Sequence, residues 1–145
     1  MHQLNVLMFQ GSPSHQIPLH QALNAQGVFN VRIADDLAQA KAGLLANRVD
    51  LLLLDHAMPT LCGRALLTFM HGAHRSRAVL FVGEPRAGSP DLAAEARRQG
   101  AWVLAQLPWP VPANALHTAL RHLGRPGDAR RRVDIQTVTS SAHAR

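Results

Sequence analysis

Leu51-Leu52-Leu53-Leu54 is apolar at every position and is bracketed by Asp50 and Asp55. A half-exposed strand alternates apolar with polar side chains, so a run without alternation is covered on both faces, the pattern of a central strand in a parallel sheet. Helices must then lie above and below it. The rest of the chain supplies them in strict alternation with further strands. Leu4 to Phe9 reads as a first strand, stopped by Gly11, Ser12 and Pro13. A helix from near Ile17 to Gly27 follows, with Pro18 in its first turn, because deeper inside it would remove a hydrogen bond and clash with the preceding turn. Phe29 to Ala34 is a second strand. Asp35 or Asp36 caps a helix whose Leu37, Ala40, Leu44 and Leu45 recur at helical spacing. Beyond the leucine strand, the spacing predicts a helix over Gly63 to His71, a strand over Ala78 to Val82, a helix between Ser89 and Gln99 with Asp91 and Glu95 near its start and Gly100 at its end, a strand over Ala101 to Ala105, and a last helix from Pro112 to Leu123. Five βα units in a row imply a doubly wound α/β fold, a five-stranded parallel sheet in a three-layer sandwich with right-handed crossovers.

At 145 residues, 47% of them hydrophobic, the chain is about one domain with a real core. We expect that domain over residues 1–123 and a linker or tail over 124–145, where Gly, Pro and Ser surround Arg130-Arg131-Arg132. The net charge is +6, and the tail, with five basic and two acidic side chains, holds half of the excess. Such a tail could reach phosphates or an acidic partner, although an arginine-rich run is more often simply solvated. One cysteine excludes a disulfide framework and any multi-cysteine zinc site. No apolar run nears the roughly 18 residues needed to cross a bilayer, and Met1-His2-Gln3 does not open a signal peptide. The expectation is a cytoplasmic protein without membrane contact.

Working residues in such sheets sit at the carboxyl ends of the strands. Five places qualify: Gln10-Gly11, the loop at Ala34-Asp35, Asp55 to Gly63, Gly83-Glu84 and Leu107-Pro108. Phosphate loops, dinucleotide-binding glycine fingerprints and nucleophile elbows are absent, so nothing argues for an enzyme. His71 and His74 have helical spacing but no third ligand, and no metal site is expected. Cys62 falls in the loop after the leucine strand, in a small apolar role. His56 reads as a loop residue facing water that could alternatively donate a hydrogen bond near Asp55.

Leu51 to Leu54 followed by Asp55-His56-Ala57-Met58-Pro59 and then Gly63, with Gly100-Ala101 and Pro108 further on, resembles the response-regulator receiver domain family of two-component signalling. The resemblance covers about residues 4–123 and implies a flavodoxin-like fold. It implies that Asp55 stands where the family's aspartate takes a phosphoryl group from a histidine kinase. Family members use a carboxylate pair after the first strand to hold magnesium, a Ser/Thr hydroxyl after the fourth, a lysine after the fifth, and an aromatic switch residue on the fifth. Here those positions are Gln10 and Gly11, Gly83, Leu107 and Leu104. A charge-assisted interaction with the metal or the phosphoryl group is worth about 1.5–3 kcal/mol, so the absence of three of them amounts to roughly 5 kcal/mol or more, a factor of thousands. Magnesium binding and phosphorylation at Asp55 are therefore expected to be absent or weak. Asp55 becomes a vestigial acceptor that accepts hydrogen bonds or caps the next turn, in a degenerate pocket with Gln10, Gly11, His56, Met58, Pro59, Gly83, Leu107 and Pro108. Such a pocket, less acidic than the family's, could admit a neutral ligand or be fixed in one state. The family's bond at Leu107-Pro108 is commonly cis.

The resemblance also implies a surface. Family members pair through helix four, strand five and helix five, a face holding Arg97, Arg98, Trp102, Leu104, His117 and Arg121 in this sequence; arginine with tryptophan suits an interface, and packing of Trp102 into the core is the equal alternative. The expected function is an atypical receiver that serves as a phosphorylation-independent interaction or dimerisation module, with a histidine kinase or effector as partner. One alternative is the regulatory domain of a transcription factor whose DNA contacts lie in a further domain or in the tail. Another is an active Asp55 phosphoacceptor.

Overall fold

The computed structural model describes residues 4–9, 13–46, 48–56, 58–73, 76–85 and 87–123. Strands and helices alternate as β1 (Asn5–Phe9), α1 (Pro13–Ala25), β2 (Asn30–Ala34), α2 (Leu37–Ala46), β3 (Val49–Asp55), α3 (Thr60–Ala73), β4 (Ser76–Val82), α4 (Leu92–Arg98), β5 (Val103–Leu107) and α5 (Ala113–Leu123). One parallel sheet holds all five strands in the order β2-β1-β3-β4-β5. The leucine strand is central, as its unbroken apolarity requires.

Its side chains divide between two cores. Leu52 and Leu54 join Leu7, Phe9, Val79 and Phe81 beneath α2, α3 and α4, while Leu51 and Leu53 join Val6, Met8, Leu80 and Val82 on the opposite face. All four leucines are fully buried, each contributing about 1.5–3 kcal/mol of transfer free energy. Asp50 is buried too, and its Oδ2 accepts the Asn5 amide at 2.9 Å while Arg48 Nε lies 3.3 Å from Oδ1. This carboxylate ties the entry of β1 to β3.

Several boundaries differ from the sequence reading, each for a local reason. Helix α1 begins at Pro13 rather than near Ile17, so Pro18 lies inside it. Contacts of His15 with Asp55 and of Gln16 with Asp35, at 2.6 and 2.8 Å, anchor the additional turn. The missing Pro18 amide removes only one bond, on an exposed face. Helix α3 opens at Thr60 because the Pro59 carbonyl accepts from the Cys62 and Gly63 amides, so Cys62 belongs to the first turn of a helix, half-buried against the core, and not to a loop. A Cβ on Gly63 would come within 2.6 Å of Leu92 Cδ1, so the glycine lets α3 approach the start of α4.

Strand β5 runs two residues later than Ala101 to Ala105. Gly100, at φ +88°, and Ala101 are used to end α4, donating to Arg97 and Ala96 carbonyls in a Schellman arrangement, so the ladder starts only beyond them. Leu107 consequently ends the strand, opposite Val82, with its carbonyl accepting from Gly83. That pairing keeps the chain extended through Leu107, and the cis bond among the described residues is Trp109-Pro110, not Leu107-Pro108. No helix of the described residues is long and apolar enough to cross a membrane. Residues 124–145, the expected tail, lie outside the described residues.

Candidate functional site

Asp55 closes β3 at the carboxyl edge of the sheet, next to Val82, and is only 1% exposed. One side of its carboxylate meets Gly83, where an added Cβ would lie 3.3 Å from Oδ1 and where φ is +81°, a conformation that favours glycine. The other side meets α1. His15 Nδ1 is 2.6 Å from Asp55 Oδ2. A carboxylate accepts, so Nδ1 carries the proton and donates. The imidazole in turn stacks on Trp109, with ring centroids 3.9 Å apart at 33°, and its side chain keeps 22% exposure. At the end of β3, the Asp55 carboxylate thus meets the start of α1 and the residue after β4, and the loop after β5 backs the imidazole that binds it.

His56, expected to face water, is buried. Its amide donates to the Val82 carbonyl at 3.0 Å, extending the β3–β4 ladder past Asp55 and turning the ring inward onto Phe81, 5.1 Å away. His56 Nδ1 donates to the Gly83 carbonyl at 3.1 Å. Nε2 lies 3.8 Å from Asp91 Oδ1 and has no hydrogen-bond partner among the described residues. Asp91 already caps α4 through the Ala93 and Ala94 amides.

The other expected pocket residues scatter. Met58 is buried in the core beneath α3, Pro59 is exposed at the start of that helix, and Pro108 is exposed after β5. Leu107 is 7% exposed and packs with Leu116 and Leu120. Gln10 and Gly11 lie outside the described residues. Gly83, Leu107 and Pro108 do line a shallow groove with Glu84, Pro85 and Gln106. On its α1 side, Asp55 is covered by the His15 imidazole.

On the expected pairing face, Arg97, Arg98 and Arg121 are exposed, while Trp102 and Leu104 are half-buried against the core. His117 belongs elsewhere: its Nδ1 donates to Gln26 Oε1 at 2.9 Å, turning the ring toward the end of α1. Arg64 of α3 and Glu95 of α4 form a bidentate pair at 2.9 and 2.7 Å, and the guanidinium hydrogen bonds hold the Glu95 carboxyl below its ordinary range. His71 is exposed in the last turn of α3, and His74 lies outside the described residues. Among the described residues no three His, Cys, Asp or Glu side chains gather as a metal site.

Sequence reasoning misses His15 and Trp109. With the helix started near Ile17, His15 is a loop residue, one histidine among nine. A signal is present, since His15 and Trp109 follow β1 and β5 at the edge where Asp55 ends β3.

A family model described as the response regulator receiver domain matches residues 6–121. Among solved structures, the fold is similar to a response regulator from Colwellia psychrerythraea, with a TM-score of 0.68 at 15% identity over 90% of this chain and 99% of that one. It is similar to the chemotaxis protein CheY4 of Vibrio cholerae, with a TM-score of 0.68 at 22% identity over 84% and 99%. A putative pilus assembly protein from Burkholderia thailandensis gives 0.65 at 25% identity over 83% and 98%. A comparison with curated protein sequences gave no match.

Proposed function

The chain belongs to the response regulator receiver domain family, and from that premise we propose that it is an atypical receiver, a two-component signalling module that acts through protein contacts without phosphorylation of Asp55. The observation that carries this reading is the company Asp55 keeps. His15 donates to one carboxylate oxygen at 2.6 Å, the other faces Gly83, and Leu107 is turned into the core. A phosphoryl group arriving at a carboxylate brings two anions together, so it needs a free carboxylate oxygen and cationic or hydroxyl partners for its own oxygens. Here His15 engages one of the two oxygens, and glycine and leucine stand at the two helper positions read from the sequence.

Magnesium is the ion the family implies, and the donor set does not suit it. Mg²⁺ requires hard oxygen ligands in near-octahedral geometry, whereas an imidazole N–H points at Asp55 Oδ2 and Gln10 and Gly11 occupy the positions of the acidic pair. The partner is a signalling protein such as a histidine kinase or effector, or a second copy meeting the α4-β5-α5 face through Arg97, Arg98, Trp102, Leu104 and Arg121.

The test is chemical. Treatment of the full chain with acetyl phosphate and magnesium, followed by intact mass and hydroxylamine lability, is expected to give no acyl phosphate at Asp55. A hydroxylamine-sensitive phosphoryl group mapped to Asp55 overturns the proposal.

A further inference from the structure

We propose that His15 is itself a phosphoryl-acceptor site: a nucleophilic imidazole, oriented by Asp55, that takes a phosphoryl group at Nε2 from a P–N donor of the phosphoramidate class. The proposal goes beyond the function assigned above, which concerns Asp55 alone.

The geometry is that of an activated histidine. Because Nδ1–H is committed to the Asp55 carboxylate at 2.6 Å, the neutral ring holds its lone pair on Nε2. No hydrogen bond to Nε2 is found among the described residues, and the side chain keeps 22% of its surface open to solvent. Asp55 performs for His15 what a buried aspartate does in a hydrolase triad, fixing the tautomer and stabilising the imidazolium that forms as the lone pair bonds to phosphorus. Trp109, stacked at 3.9 Å, fixes the ring plane and offers its π face to the developing cation. His15 also stands in the first turn of the 13-residue helix α1, where the positive end of the helix dipole favours an added anion.

The step balances without a co-reactant. The Nε2 lone pair attacks phosphorus, a new N–P bond forms, and the donor's own N–P bond breaks with its electron pair leaving on ammonia. The product ring is cationic, with the Nδ1 proton shared with Asp55 and the new phosphoryl charge kept on the far side of the imidazole.

The experiment treats the full chain with phosphoramidate and follows intact mass, peptide mapping and chemical lability. The expected product is one phosphoryl group mapped to His15, lost in acid and resistant to hydroxylamine. It is absent in His15→Asn. In Asp55→Asn it forms more slowly by about tenfold or more, since the new amide can donate to Nδ1 and leave the proton on Nε2. Circular dichroism checks that both variants fold; mapping in the native chain and the Asp55→Asn rate test the proposal even if His15→Asn does not. No modification of His15, or an unchanged rate in Asp55→Asn, overturns the proposal and leaves the preceding function standing. A hydroxylamine-sensitive acyl phosphate on Asp55 overturns both.

Discussion

The contact between His15 and Asp55 sets a measurable energy. The hydrogen bond is short at 2.6 Å, one partner is charged, and Asp55 is almost wholly buried. Hydrogen bonds of that kind contribute about 1.5–3 kcal/mol net. The stacking of His15 on Trp109 adds roughly 0.5–1.5 kcal/mol. Replacing His15 by alanine is therefore expected to cost about 2–4 kcal/mol, which lowers Tm by on the order of 10 °C in a domain of this size. A cycle with Asp55→Ala separates the two parts, because the lone Asp55→Ala change also relieves the burial of a carboxylate and can itself raise stability. In the Asp55→Ala background, His15→Ala is expected to cost only the stacking share, leaving a coupling of about 1.5–3 kcal/mol. Urea unfolding of the four proteins, with m held constant, gives the numbers. An equal cost of His15→Ala in both backgrounds would show that the hydrogen bond contributes nothing, and the reasoning about Asp55 would fail with it.

Gly83→Ala is expected to destabilise by about 1–2 kcal/mol, since φ is +81° and the new Cβ would press to 3.3 Å from Asp55 Oδ1; thermal unfolding measures it, and an unchanged Tm refutes the strain argument. Asp91→Ala removes the cap that accepts from Ala93 and Ala94 and is expected to cost about 1 kcal/mol, with amide exchange rising first in α4. The Arg64–Glu95 pair carries a pH dependence. Because the folded Glu95 carboxyl is depressed, its stabilisation is present above the ordinary carboxylate range and is lost as pH falls through the depressed folded value. The stability gap between the native chain and Glu95→Gln should accordingly shrink on acidification in urea titrations, and a gap that widens contradicts the sign.

The sheet is legible in the sequence because its physics is local. Four consecutive leucines between two aspartates leave no face for water, and the alternation of strands with capped helices leaves few ways to cover them. What the sequence conceals depends on contacts between distant segments. The first turn of α1 exists because His15 and Gln16 find partners 40 and 19 residues away, which local propensity cannot register, so Pro18 reads as an N-terminal signal. Strand β5 slips by two residues because Gly100 and Ala101 finish a helix before the strand can begin. Asp55 stands out by its motif, and the glycine and leucine around it are readable from the same pattern of strand ends. Its engagement by His15, the burial of His56 and the stacking of Trp109 are not, because each requires knowing how three loops meet at one edge of the sheet.

The central claim, that Asp55 no longer operates a phosphorylation switch, is tested most directly by two-dimensional NMR of the full chain titrated with magnesium and then beryllofluoride, a mimic of the acyl phosphate, against Asp55→Asn as reference. The account predicts no saturable, Asp55-dependent shift at millimolar ligand. Saturable shifts that vanish in Asp55→Asn and spread from β3 to β5 would contradict it, and would mean that Asp55 operates a phosphorylation switch.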